Sequence, residues 1–182
     1  RIHINTAAGY FKYFKYVVYF AYRDKWIKEN IADFLDYIEV KPTRRDFLTP
    51  TELMNLSRTP CEIPVLKRAS LFSCLTGLRY SDVSSLKWSN IVPGLSGGGY
   101  CMQIQTEKTD AIATLPLSDD AVCLMGPRGD GTVFAGLTRN MLLGPLERWI
   151  AAAGITKHIT FHCFRHCIFS YLLKIRNLQI IF

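Results

Sequence analysis

The chain has 182 residues, of which 49% are hydrophobic and 20% charged, and it carries a formal net charge of +7. That is enough apolar material to bury a substantial core but too little length for two full domains, so one domain plus an appendage is the economical reading. Neither a signal-peptide pattern nor an apolar run long enough to cross a bilayer is present, which points to a cytoplasmic setting without a membrane partner.

The positive excess favours a polyanionic partner. It is also uneven, because after Glu147 there are five basic residues (Arg148, Lys157, Arg165, Lys174 and Arg176) and no acidic one. The cysteines at 61, 74, 101, 123, 163 and 167 show no framework spacing and lie mostly in apolar surroundings, the pattern of reduced buried thiols rather than disulfides.

In chain order, residues 6 to 27 predict a helix with Tyr10, Phe14, Val17, Val18 and Ala21 on one face and Lys12, Lys15, Arg23 and Lys25 among the rest. So apolar a stripe needs partners, which are expected to be largely absent from this chain, and the opening at Arg1 without a methionine suggests that the chain starts inside a domain. Residues 30 to 38 add a short helical piece, and Val40-Lys-Pro-Thr-Arg-Arg45 reads as a basic, proline-bearing linker in which Lys41, Arg44 and Arg45 are placed to clamp a DNA backbone. Thr49-Pro50-Thr51-Glu52 carries three agreeing helix-start signals: a threonine cap, proline at the first helical position and glutamate three residues after the cap.

Pro64 to Leu75 predicts a buried helix that Gly77 ends in a left-handed cap, with a shorter helix from Tyr80 to Leu86 capped by Ser81 or Asp82. Arg79 falls at the break between them, a poor place to hide a guanidinium and a good one to present its fork to an anion. After Trp88 and the turn Val92 to Gly99, alternation over Tyr100–Gln105 and Ile112–Leu117 predicts a β-hairpin with Lys108 near its tip. Ser118-Asp-Asp starts another helical turn, Pro127 to Gly131 is a loop, and Leu137 to Ala153 predicts one amphipathic helix ending at Gly154. The last helix, Phe161 to Leu173, should turn Phe164, Phe169 and Leu172 toward the core and set His162 and Arg165 one turn apart near its positive end.

Thr76-Gly-Leu-Arg79-Tyr-Ser-Asp82, the following Leu-Lys-Trp-Ser-Asn-Ile91, Gln105-Thr-Glu-Lys108 and His162-Cys-Phe-Arg165 stand together in an order and spacing that resemble the catalytic domain of tyrosine recombinases, the phage integrase family. The resemblance covers roughly residues 43 to 168. It implies a mainly α-helical fold with a small antiparallel β-sheet, an integrase-like catalytic domain over 43–182, incomplete at its C-terminus. Residues 1–42 would then be a helical stub of the DNA-gripping core-binding domain plus the start of the linker. The implied function is site-specific recombination on double-stranded DNA, with self-association on that DNA and without a metal or cofactor.

In the family a tyrosine hydroxyl attacks the DNA phosphate and forms a phosphotyrosyl intermediate. By resemblance Arg79 and Arg165 would hold the phosphate oxygens, His162 would donate or carry a proton, and Lys108 would protonate the leaving oxygen. The chain departs from the family pattern after His166, where Cys167-Ile-Phe-Ser-Tyr-Leu-Leu-Lys-Ile-Arg-Asn-Leu-Gln-Ile-Ile-Phe182 replaces a Leu-Gly-His segment and the nucleophilic tyrosine. Tyr171, the only tyrosine after Arg165, is too close to it to match, so the chain is expected to bind DNA phosphate without the reacting group. A non-catalytic DNA-binding remnant is the alternative. A further one is a zinc site built from His162, His166 and Cys163, with His158 and Cys167 nearby; it lacks the paired Cys-x-x-Cys spacing of structural sites.

Overall fold

In the computed structural model, residues 2–41, 46–94, 98–105 and 112–174 are described, the side chains of 105, 112 and 168–174 excepted. The chain forms two compact units, Arg1–Arg44 and Arg45–Phe182.

The first unit is helix α1, Ile4–Arg23, with a segment returning along it. His3 caps the helix by accepting the Asn5 N–H on its ring at 3.3 Å. The Asn5 side chain then clasps residue 41, donating to the Lys41 carbonyl at 2.9 Å and accepting the Lys41 N–H at 3.0 Å. Lys15 donates to the Leu35 carbonyl at 2.7 Å and lies 3.9 Å from the centre of the Tyr37 ring. The helix starts and stops earlier than the expected 6–27, because Asp24 ends it and Lys25 turns into the left-handed region at φ 63°. Of the expected apolar face only Val18 is buried; Tyr10, Phe14 and Val17 are 65%, 48% and 67% exposed.

The second unit is mainly helical with one small sheet. Helix α2, Pro50–Arg58, opens on the expected capping box: Thr49 Oγ1 accepts the Glu52 N–H, and the Glu52 carboxylate accepts the Thr49 N–H. Helix α3, Pro64–Thr76, runs through the centre with Leu66, Ala69, Phe72 and Cys74 buried, and Gly77 ends it at φ 69°. Helix α4, Tyr80–Ser85, follows at once. Strands β1, Ile91–Pro93, β2, Tyr100–Gln105, and β3, Ile112–Leu117, form an antiparallel sheet in the order β1-β2-β3. Met102 of β2 pairs with Ile91 and Leu115 and turns into the core. The three-residue β1 falls in the stretch read as the start of a turn: Pro93 offers no N–H to a ladder, and so short an edge strand shows no alternation.

Helix α5, Asp119–Met125, is capped by Ser118. The single helix expected over Leu137 to Ala153 is instead a 3-10 turn, Arg139–Leu142, followed by helix α6, Gly144–Ala152. Pro145 explains the break, since a residue without an N–H suits the first turn of a helix and not its interior. Helix α7, Phe161–Lys174, packs on α3 and α2. Phe164 of α7 is fully buried against Trp149 and Phe161, and Phe72 meets Phe134 with ring centres 5.1 Å apart. The side chains of Phe169 and Leu172 lie outside the described residues.

Candidate nucleic-acid interface

Arg79 is placed by the turn that precedes it. The buried Ser73 hydroxyl on α3 donates to the Leu78 carbonyl at 2.8 Å, and Leu78 itself is 7% exposed, so the backbone just before the arginine is anchored to the core. Arg79, rather than Ser81 or Asp82, is the capping residue of α4; Asp82, three places on, accepts its backbone N–H at 3.1 Å and the Ser81 hydroxyl at 3.1 Å. The carboxylate nearest in sequence therefore serves the helix start. The Arg79 guanidinium is exposed and makes no ion pair among the described residues, whereas Arg23, Arg148 and Lys157 all do.

The second block sits at the start of α7. Thr160 begins it, its carbonyl accepting the Cys163 N–H at 2.9 Å. No acidic residue occupies the first turn, so the positive helix end is not neutralised locally. Phe161 is buried, His162 exposed and Arg165 half-buried, the arginine with no ion pair among the described residues. Lys157, just upstream, is held to α2 by its contact with Glu52 at 2.8 Å. Burial raises the Glu52 carboxyl pKa, but the Lys157 and Thr49 hydrogen bonds outweigh it and leave the group below its ordinary value.

One contact joins the two blocks. The Tyr80 and Phe161 rings meet edge to face with centres 5.4 Å apart, so the residue after Arg79 touches the residue before His162. Residues 79 and 162 flank a single aromatic contact, with Arg165 one helical turn further along α7. The arginine sites, far apart in sequence, are thus carried by touching elements.

The remaining expected positions fare differently. Lys108 lies outside the described residues, as do Arg44 and Arg45. Lys41 is exposed, its backbone tied to Asn5. For the zinc reading, no group of three or more His, Cys, Asp or Glu side chains gathers to hold a metal among the described residues. The thiols explain why. Cys163 Sγ accepts the Thr160 N–H at 3.4 Å, and Cys167 is buried with its thiol directed at the Cys163 carbonyl, so neither joins the histidines. Burial also pushes the Cys74 thiol well above its ordinary value. Sequence reading missed the anchoring role of Ser73, whose small polar side chain in an apolar helix was the available signal.

The described helices include none long and apolar enough to cross a membrane. The phage integrase family model matches residues 46–179. Among solved structures, the chain is similar to the integrase of mycobacterium phage Brujita, at 19% identity and TM-score 0.59, covering 96% of this chain and 60% of that one. Lambda integrase residues 75–356, solved as a dimer bound to a COC' core site, gives 21% identity and TM-score 0.65, covering 90% and 66%. The XerH site-specific recombinase bound to its difH substrate gives 19% and 0.56, covering 79% and 47%. No curated protein matches the chain. The chain thus spans about half to two thirds of the length of these solved relatives. With a family match over most of its length, the integrase fold, and the two arginine-bearing blocks in contact, the chain belongs to the phage integrase family.

Proposed function

We propose that this chain binds double-stranded DNA through its phosphate backbone and holds one phosphodiester with Arg79, His162 and Arg165, the site at which integrases carry out site-specific recombination. The observation that carries the reading is the Tyr80–Phe161 ring contact, which brings the blocks bearing these three residues together. Two arginines without ion pairs among the described residues, beside a helix start without acidic residues, form a preorganised cationic site. Such a site complements the charge on non-bridging phosphate oxygens without desolvating a competing carboxylate. Lys108, on the connection between β2 and β3, is the proposed fourth member and proton donor to the leaving oxygen. Lys41, Arg44 and Arg45 are proposed to add contacts to the DNA backbone, with residues 1–42 belonging to a core-binding domain. The solved lambda integrase relatives include a DNA-bound dimer and a tetramer on a Holliday junction, which supports self-association on DNA here.

The test is fluorescence anisotropy with a labelled duplex over a salt series. Affinity should fall steeply as salt rises, and Arg79→Ala and Arg165→Ala should each weaken binding and reduce the slope of log affinity on log salt by about one. Binding insensitive to salt, or absent at low salt, overturns the proposal.

A further inference from the structure

Beyond the residues of that site, α7 contains a histidine that the proposed reaction does not use. His166 lies one turn after His162, and the two imidazoles stand edge to face with centres 4.9 Å apart and planes at 82°. Its Nε2 atom is buried and has no hydrogen-bond partner among the described residues, a costly arrangement for a ring nitrogen unless something nearby compensates. The elements packed on α7 are α3 and α2. Their ionisable groups are largely engaged elsewhere: Glu52 by Lys157, Lys67 by the Thr59 carbonyl and Arg68 by the Met125 carbonyl. Arg58 is exposed at the end of α2, and Cys74 is buried with Cys167.

We propose that His166 is a positioning residue for His162. An edge-to-face imidazole pair lets the N–H edge of one ring lie against the π face of the other, a weak hydrogen bond that accounts for a buried nitrogen without a conventional acceptor. His162 is exposed on the first turn of α7, with the His166 ring among its neighbours. The half-buried ring one turn behind it restricts the rotamers open to the outer imidazole. The ordering cost is then met by folding rather than by ligand binding. The inference rests on the assignment of His162 to the phosphate site, and it assigns His166 no direct contact with DNA.

A double-mutant cycle tests it, read by anisotropy of a labelled duplex at low salt on the full chain. His162→Ala and His166→Ala should each weaken binding by about fivefold. The double variant should bind no more weakly than His162→Ala, because His166 acts only through the ring it supports. His166→Phe, which keeps a ring that can stand on edge, should stay within about twofold of the parent, and His166→Gln, which has none, should behave like alanine. Losses that add in the double variant, or a full loss in His166→Phe with an intact circular dichroism spectrum, overturn the positioning role. So does an effect of His162→Ala with none from either His166→Ala or His166→Gln. If His162→Ala itself changes nothing, the phosphate-site assignment of His162 fails first and the inference fails with it.

Discussion

Asp82 accepts the Arg79 backbone N–H and the Ser81 hydroxyl, so it fixes where α4 begins and leaves the guanidinium to solvent. Asp82→Ala should cost about 1 kcal/mol in urea denaturation, as the loss of a helix-start acceptor does elsewhere, and Asp82→Asn should restore most of it. Glu52 gives a pH-dependent counterpart. Its carboxyl sits below the ordinary value of 4.5, so the stabilisation it brings is complete above that pH and is lost as pH falls through the lower folded value. Both partners are partly exposed and water screens them, so Glu52→Gln should destabilise by only about 0.5–1 kcal/mol at pH 7, with the gap closing in paired melts as the pH is lowered through the depressed folded value. Tyr171 is the remaining residue of interest. It lies six positions beyond Arg165 on the same helix, and a nucleophile must come within about 3–3.5 Å of the phosphorus. A nicked suicide duplex should therefore give no covalent complex with this chain, and a covalent band that disappears in Tyr171→Phe would refute that expectation.

At the scale of elements, the site depends on how α3, α4 and α7 meet. Tyr80→Leu keeps apolar volume but removes the edge-to-face ring contact; it should cost about 1 kcal/mol and weaken DNA binding alongside, measured on the same preparation by melting and anisotropy. Affinity unchanged after the ring is lost would mean that the arginines are aligned by something else. These elements were legible in the sequence where local chemistry and tertiary packing agree. Thr49-Pro50-Glu52 carries its helix start in side chains that bond their own backbone, and Gly77 marks a left-handed turn that few other residues tolerate. Reading failed where periodicity continued across a backbone break. Leu137 to Ala153 keeps a helical pattern on both sides of Pro145, yet the structure divides it there. The cap at Arg79 was missed for a related reason: arginine has no acceptor to advertise a helix start, and the acceptor came from Asp82 three places later.

For the whole molecule, the order of the motif blocks was legible and their meeting was not, because no local rule states that Tyr80 will touch Phe161. The apolar face of α1 was read as one whose partners are largely absent from this chain, and Tyr10, Phe14 and Val17 all face solvent. The contact between residues 80 and 161 also bears on how the protein comes to exist. A site assembled from positions so far apart cannot form until the loop between them has closed, and such long-range closures come late in folding. During synthesis, a nascent chain that has emerged only through α6 already contains Arg79 and its turn, yet it lacks the α7 residues that would complete the proposed anion site. Phosphate affinity would then appear abruptly once Phe161 docks, and a chain still on the ribosome would be kept from gripping nucleic acid before its core is closed.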